Sequence, residues 1–230
     1  MTPYAEELPS LADHVGPTPG PSAAAGTPAE HFPDAHLQLL HRLNGFTVHH
    51  GAFRLLGLGH PEPALDLAAW NAYDTWRFAW DDRIEPFVIF GGTAFGDSYA
   101  YRRLPGGGLA PEVHFLEGVL LRPEVIAPDF EAFLADELLR NAKEPYDRFV
   151  VEAVRRHGPI APDRQWAYAP SVALGGEEDV EHITVLPAAV AMTFAGDIAS
   201  AMNGADREAT GVQPYTDEQG RPRLRVLFDG

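Results

Sequence analysis

Between Pro86 and Tyr101 the chain reads Pro-Phe-Val-Ile-Phe-Gly-Gly-Thr-Ala-Phe-Gly-Asp-Ser-Tyr-Ala-Tyr, and no other stretch constrains the fold as strongly. Phe87 to Phe90 form an unbroken apolar run of aromatic and β-branched residues behind a proline. This is the pattern of a short strand buried on both faces. Gly91-Gly92 is expected to break that strand. Ser98 to Tyr101 begins a second strand, which Arg102-Arg103 closes. The Phe95-Gly96-Asp97 step between them needs a tight backbone, which Gly96 supplies through positive φ and Asp97 through bonds to nearby N–H groups. The pattern predicts a strand–turn–strand at the centre of a sheet.

The same residues spell G-x-x-x-x-G-D-S from Gly91 to Ser98, one position away from a phosphate-binding P-loop. The lysine is replaced by Asp97, which repels a phosphate. A strand pattern also comes next where a P-loop needs a helix. Ser98 as a nucleophile lacks a G-x-S-x-G elbow and its helix. With no cysteine, no nucleophile elbow and no metal-ligand spacing such as H-E-x-x-H, neither cofactor nor metal is expected.

The 230 residues carry 33 acids against 17 bases, a formal net charge of −16. Nucleic acid is a poor ligand for such a surface, because phosphate neutralisation needs a basic face. A basic protein partner is well matched, and acidic charge speeds its encounter. The absence of cysteine fits a reducing compartment. No apolar run approaches the ~20 residues of a membrane span, and the N-terminus lacks the pattern of a signal peptide. These features suggest a cytoplasmic protein without membrane contact.

Residues 1–33 are rich in proline, alanine, glycine and serine and read as a disordered leader. From Asp34 the pattern is helical, with Leu37, Leu40 and Leu43 on one stripe, ending at Asn44-Gly45. Phe46 to Val48 and Phe53 to Leu56 are short strands flanking His49-His50, which belongs to a turn. Asp66 caps a helix expected to run from Leu67 to Trp76 or Trp80. Its aromatics, Trp70, Tyr73, Trp76, Phe78 and Trp80, do not share one stripe. Val113 to Leu116 is a strand. Asp129 caps an amphipathic helix carrying Phe130, Phe133, Leu134 and Leu138, and a further helix uses Tyr146, Phe149, Val150 and Val154. Ile183 to Val185 is a strand, a helix begins after Pro187, and Leu224 to Phe228 form a terminal strand. Gly196 sits oddly inside that last helix.

Taken in order, Leu43-Asn44-Gly45, Phe53 to Leu56, Trp70, Pro86 to Phe90, Phe95-Gly96-Asp97, Val113 to Leu116 and Asp129 to Leu134 resemble the SUKH superfamily, which joins fungal cell-wall-synthesis regulators to bacterial toxin-immunity proteins. The match covers about residues 35–140. It implies an α+β fold: a twisted, mostly antiparallel sheet with helices packed against it. The domain would span 34–158, and 159–230 would form a C-terminal α/β extension packed on it. The resemblance transfers no catalytic residue.

Three functions are open, in order of preference: a non-enzymatic immunity protein that neutralises a basic secreted toxin, an interaction scaffold or regulator using the leader as a docking arm, and an enzyme. For the first, aromatics beside acids make a plausible partner patch. Trp76, Trp80, Asp81 and Asp82, with the edge near Asp97, are the first candidate. The acidic loop Glu177, Glu178 and Asp179 is the second. Trp76 and Trp80 have an alternative place in the core.

Overall fold

A computed structural model describes residues 7–20, 24–145, 147–205 and 208–229. Tyr146 and the first six residues of the leader lie outside these. The fold is α+β. Seven strands form one antiparallel meander in chain order: β1 (Ala12–Gly16), β2 (Asn44–Val48), β3 (Phe53–Leu55), β4 (Phe87–Thr93), β5 (Ser98–Arg103), β6 (Leu109–Leu116) and β7 (Pro123–Ala127). Every residue of β4 is buried, as its apolar run requires.

Gly91-Gly92 does not end β4. The strand continues to Thr93, with Gly91 opposite Leu55 and Gly92 opposite Arg54 on β3. A Cβ on Gly92 would lie 2.3 Å from the Asp97 carbonyl oxygen. The glycines are therefore there for close approach of neighbouring backbone, not to break the strand. β3 is short and leaves Ile89 of β4 without a strand partner on that side. The Asn71 side chain takes its place, accepting from the Ile89 N–H at 2.9 Å and donating to its carbonyl at 2.7 Å.

Helix α1 (Asp34–Arg42) and helix α3 (Phe130–Phe133) cover the sheet around Phe90. Phe90 is fully buried among the rings of Phe32, His36, Tyr101, Phe130 and Phe133, with centroids 4.6–6.4 Å apart. Burial between rings lowers the His36 pKa to about 3 and holds the imidazole neutral.

The expected long Trp helix is one turn, α2 (Leu67–Trp70), capped by the Asp66 carboxylate, and then breaks into turns and two 3-10 segments, Arg77–Ala79 and Asp81–Arg83. An unbroken helix would put Trp70, Tyr73, Trp76 and Trp80 within one arc of about 120°, but the three tryptophans are each 3% exposed or less while Tyr73 is 68% exposed, so the segment does not bury its rings as one helical face. The buried Arg77 guanidinium holds the loop by donating to the carbonyls of Ile84 and Phe87.

The leader is not a detached arm. β1 pairs with β2, Leu8, Ala29 and Phe32 are buried, and the Asn44 side chain donates to the Pro17 carbonyl at 2.8 Å. Low-complexity composition hid a few apolar residues that join the core, while β1 closes the sheet edge.

Beyond β7, α3 runs into a π turn (Leu134–Leu138) and α4 (Leu139–Lys143), followed by α5 (Arg148–His157). The C-terminal part contributes a hairpin of β8 (Arg164–Tyr168) and β9 (Ile183–Pro187), helix α6 (Ala188–Met202) and a hairpin of β10 (Ala209–Thr216) and β11 (Pro222–Phe228). Gly196 now has a reason: a Cβ there would lie 2.6 Å from the Ala79 carbonyl oxygen. On the same helix, the Met192 carbonyl accepts from the Trp80 indole at 2.8 Å. Asp197 accepts from the Arg223 guanidinium and, at 2.7 Å, from the Leu224 N–H, so the last hairpin is fastened to α6.

Candidate functional site

The β4–β5 turn lies where the sheet meets the C-terminal extension. Gly96 takes φ +95°, and a Cβ there would meet the Gln165 amide nitrogen at 2.4 Å. The Trp166 N–H donates to the Ala94 carbonyl at 2.7 Å, so β8 docks its backbone onto this turn. Across the turn, the Gly118 N–H donates to Asp97 Oδ1 at 2.9 Å, while the Thr93 hydroxyl donates to Asp97 Oδ2 at 2.7 Å. Asp97 thus fastens its own turn to the loop after β6. Burial, opposed by these two hydrogen bonds, raises its pKa above the ordinary carboxylate value, and Glu117 and Asp147 push the same way.

Around Asp97 opens a cleft of about 250 Å³. Its acids come from five separate segments: Asp97, Glu117, Glu137, Asp147 and Glu178. Its walls are aromatic. Phe95 stacks on Tyr168 at 5.7 Å and lies 5.5 Å from Phe149. Four of the five acids are placed by local chemistry. Glu117 accepts from the N–H groups of Val119 and Leu120, shaping the loop. Asp147 caps α5 by accepting from the Phe149 N–H. Glu137 sits in the π turn, a geometry that often re-aims side chains at functional sites, and there accepts from Tyr99 and Asn141 at 3.0 Å each. Asn141 is 1% exposed and lines the cleft, yet its Oδ1 has no hydrogen-bond partner among the described residues. Glu178 is exposed and has no bond at all to another described residue.

No lysine, arginine or histidine among the described residues forms an ion pair with Asp97, Glu117, Asp147 or Glu178. The Tyr168 phenol registers the resulting field. Its pKa is raised first by burial and then by the charges of Glu178, Asp97 and Asp147. Among the described residues, no three His, Asp or Glu side chains are placed to hold a metal ion.

A second, larger cavity of about 500 Å³ shares Phe95, Gly118, Val119 and Tyr168 with the cleft. It is apolar, walled by β8, β9, α6 and the last hairpin. Small residues leave it open: Ala167, Ala191, Ala195 and Gly211 all line it.

Of the residues expected at a partner surface, the cleft brings together two, Asp97 and Glu178. Trp76 and Trp80 are each 0% exposed and cannot anchor a partner; they take the core place left open to them. Asp82 is exposed but lies apart from the cleft, and the Asp81 side chain is outside the described residues. Glu177 lies 4.0 Å from the His182 imidazole, and Asp179 caps a 3-10 turn by accepting from the Glu181 N–H. The sequence reading missed Glu117, Glu137, Asp147 and Tyr168. Each belongs to a different segment, and only Asp147, just before an amphipathic helix, carries a local signal as a cap. After Asp97 the chain enters β5, not a helix, so Gly91 to Ser98 lacks the architecture of a P-loop.

No protein-family model matches the chain, and no curated protein matches it. Among solved structures, it is similar to Atu4351 from Agrobacterium tumefaciens, with 14% identity, a TM-score of 0.55, and coverage of 99% of this chain and 98% of that one. At that identity the likeness shows the fold alone. No helix among the described residues is long and apolar enough to cross a membrane.

Proposed function

We propose that the protein is a stoichiometric binding protein of the immunity type, as the SUKH resemblance implies, and that it neutralises a basic toxin domain. The observation that carries this reading is the cleft at Asp97. There the fold gathers carboxylates from distant segments against an aromatic wall, and four of them have no cationic partner among the described residues. Like charges held together raise one another's cost, so an arrangement of this kind is repaid by a cation from elsewhere. The net charge of −16 extends the attraction over the whole surface. The scaffold reading leaned on the leader as a free docking arm, and β1 occupies that segment as a sheet strand.

The test looks for a basic toxin domain encoded by a gene neighbouring this one and, where there is one, co-expresses the two. Wild type should form a one-to-one complex and protect the cell. Glu178→Lys alters an exposed side chain with no bond to another described residue, so it should leave the melting temperature within a degree or two. It should weaken the complex at least tenfold. A soluble toxin domain that forms no complex with wild type, measured by size exclusion with light scattering, sinks the reading.

A further inference from the structure

We propose that the acidic cleft and the apolar chamber beside it are one two-part socket, which takes an arginine side chain together with a neighbouring bulky apolar side chain of the partner. This deepens the function proposed above and rests on it for the identity of the partner as a protein.

The polar groups of the cleft are mostly acceptors. Asp97 takes one hydrogen bond on each carboxylate oxygen, and Glu178 takes none from a described residue. A carboxylate has about four acceptor positions, so capacity remains. Asn141 adds a buried oxygen on the same wall with no hydrogen-bond partner among the described residues, its amide nitrogen already committed to Glu137. The missing complement is a donor-rich cation. A guanidinium brings five N–H donors in a plane, an ammonium three on a point. The rings of Phe95, Phe149 and Tyr168 favour the planar group, because a guanidinium stacks on aromatic faces and is more weakly hydrated than an ammonium.

The chamber supplies the second part. It adjoins the cleft across Phe95 and Tyr168, it is walled by apolar and small side chains, and about 500 Å³ lies within the range of ligand pockets. None of the described residues that line it is charged. A segment that seats a cation in the cleft can reach the chamber with an apolar side chain close by in sequence. Such an anchor, desolvated beside a charge pair, has the composition of an interface hot spot.

Hexylguanidinium joins both chemistries in one small probe, and isothermal titration with the full chain reads its affinity. It should bind at least tenfold more tightly than guanidinium alone or 1-hexanol alone. Hexylammonium should be weaker, and hexanoate should give no heat. Glu178→Gln should weaken hexylguanidinium severalfold. Ala195→Phe fills the chamber and should reduce the affinity to that of guanidinium alone. If Ala195→Phe lowers the melting temperature, Thr210→Phe narrows the chamber from an exposed strand position and should do the same. Hexylguanidinium that binds no better than guanidinium, or that is indifferent to both the cleft and the chamber substitutions, overturns the socket. The probe needs no partner, so the two readings fail separately. A toxin complex without probe binding rejects the socket alone, and probe binding without a toxin complex rejects the immunity function alone.

Discussion

Asp97 does two jobs that pull its chemistry in opposite directions. As a structural residue it accepts from Thr93 and Gly118 and closes the turn. As part of the cleft it adds negative charge where burial already disfavours it, and its pKa rises. The folded state therefore holds the Asp97 proton more tightly than the unfolded state does. Its contribution to stability is most favourable below the unfolded value of 3.8 and is lost as pH rises through the folded pKa. Asp97→Asn keeps a polar group of the same shape and removes the charge. The variant should melt no lower than wild type at pH 7, and any advantage should shrink as the pH is lowered toward 4. Partner binding should weaken at the same time. A variant several degrees less stable at pH 7 would show that the carboxylate's hydrogen bonds outweigh the cost of its burial. The glycine and the aspartate of this turn were legible in the sequence as a tight connection. That Asp97 would share a cleft with Glu178 was not, because the rest of the sheet and much of the extension lie between them in the chain.

At the scale of elements, strong periodicity was readable and weak composition misled. The buried β4 run, the Asp129-capped helix and the helix after Pro187 all stand where their patterns put them. The Trp segment failed as a helix: Tyr73, which a helix would place on the same face as Trp70 and Trp76, is exposed while both tryptophans are buried, and the leader failed as a disordered arm because its few apolar residues are well placed. β1 covers the edge of β2, Leu8 is 0% exposed, and Asp13 accepts from the Gly51 N–H. Deleting residues 1–20 should therefore destabilise the fold. Loss of the Leu8 side chain alone removes about 1.5–3 kcal/mol of burial. A chain of this length shifts by about 2–4 °C for each kcal/mol, so a drop of several degrees is expected before the lost strand pairing is counted. The bared β2 edge should also promote association. A truncated protein that melts like the full chain and keeps the full chain's mass in light scattering would mean that β1 adds nothing to stability.

For the whole molecule, the distribution of charge matters more than its sum. The excess of acids acts at long range, where it would steer the proposed basic partner and is screened over about 8 Å at physiological salt. The cleft acts at contact, where stacked rings and poor solvation make the same charges count for more. The fold also carries a groove of the opposite tendency, bordered by Arg140, Lys143, Arg148 and Arg155, although Glu144 and Glu152 share it. A purely electrostatic surface would bind through its most exposed acids and lose that binding to salt. A socket behaves otherwise. Asp82→Lys changes an exposed acid away from the cleft, so it should lower the association rate at low salt and have little effect on dissociation. Glu178→Lys places the wrong charge at the cleft itself, so it should speed dissociation at least tenfold, with the effect surviving at high salt. Stopped-flow or surface-plasmon measurements with the proposed toxin partner separate the two. If both variants change only the association rate, and both effects vanish at high salt, the cleft is part of the steering field and not the place where the partner is held.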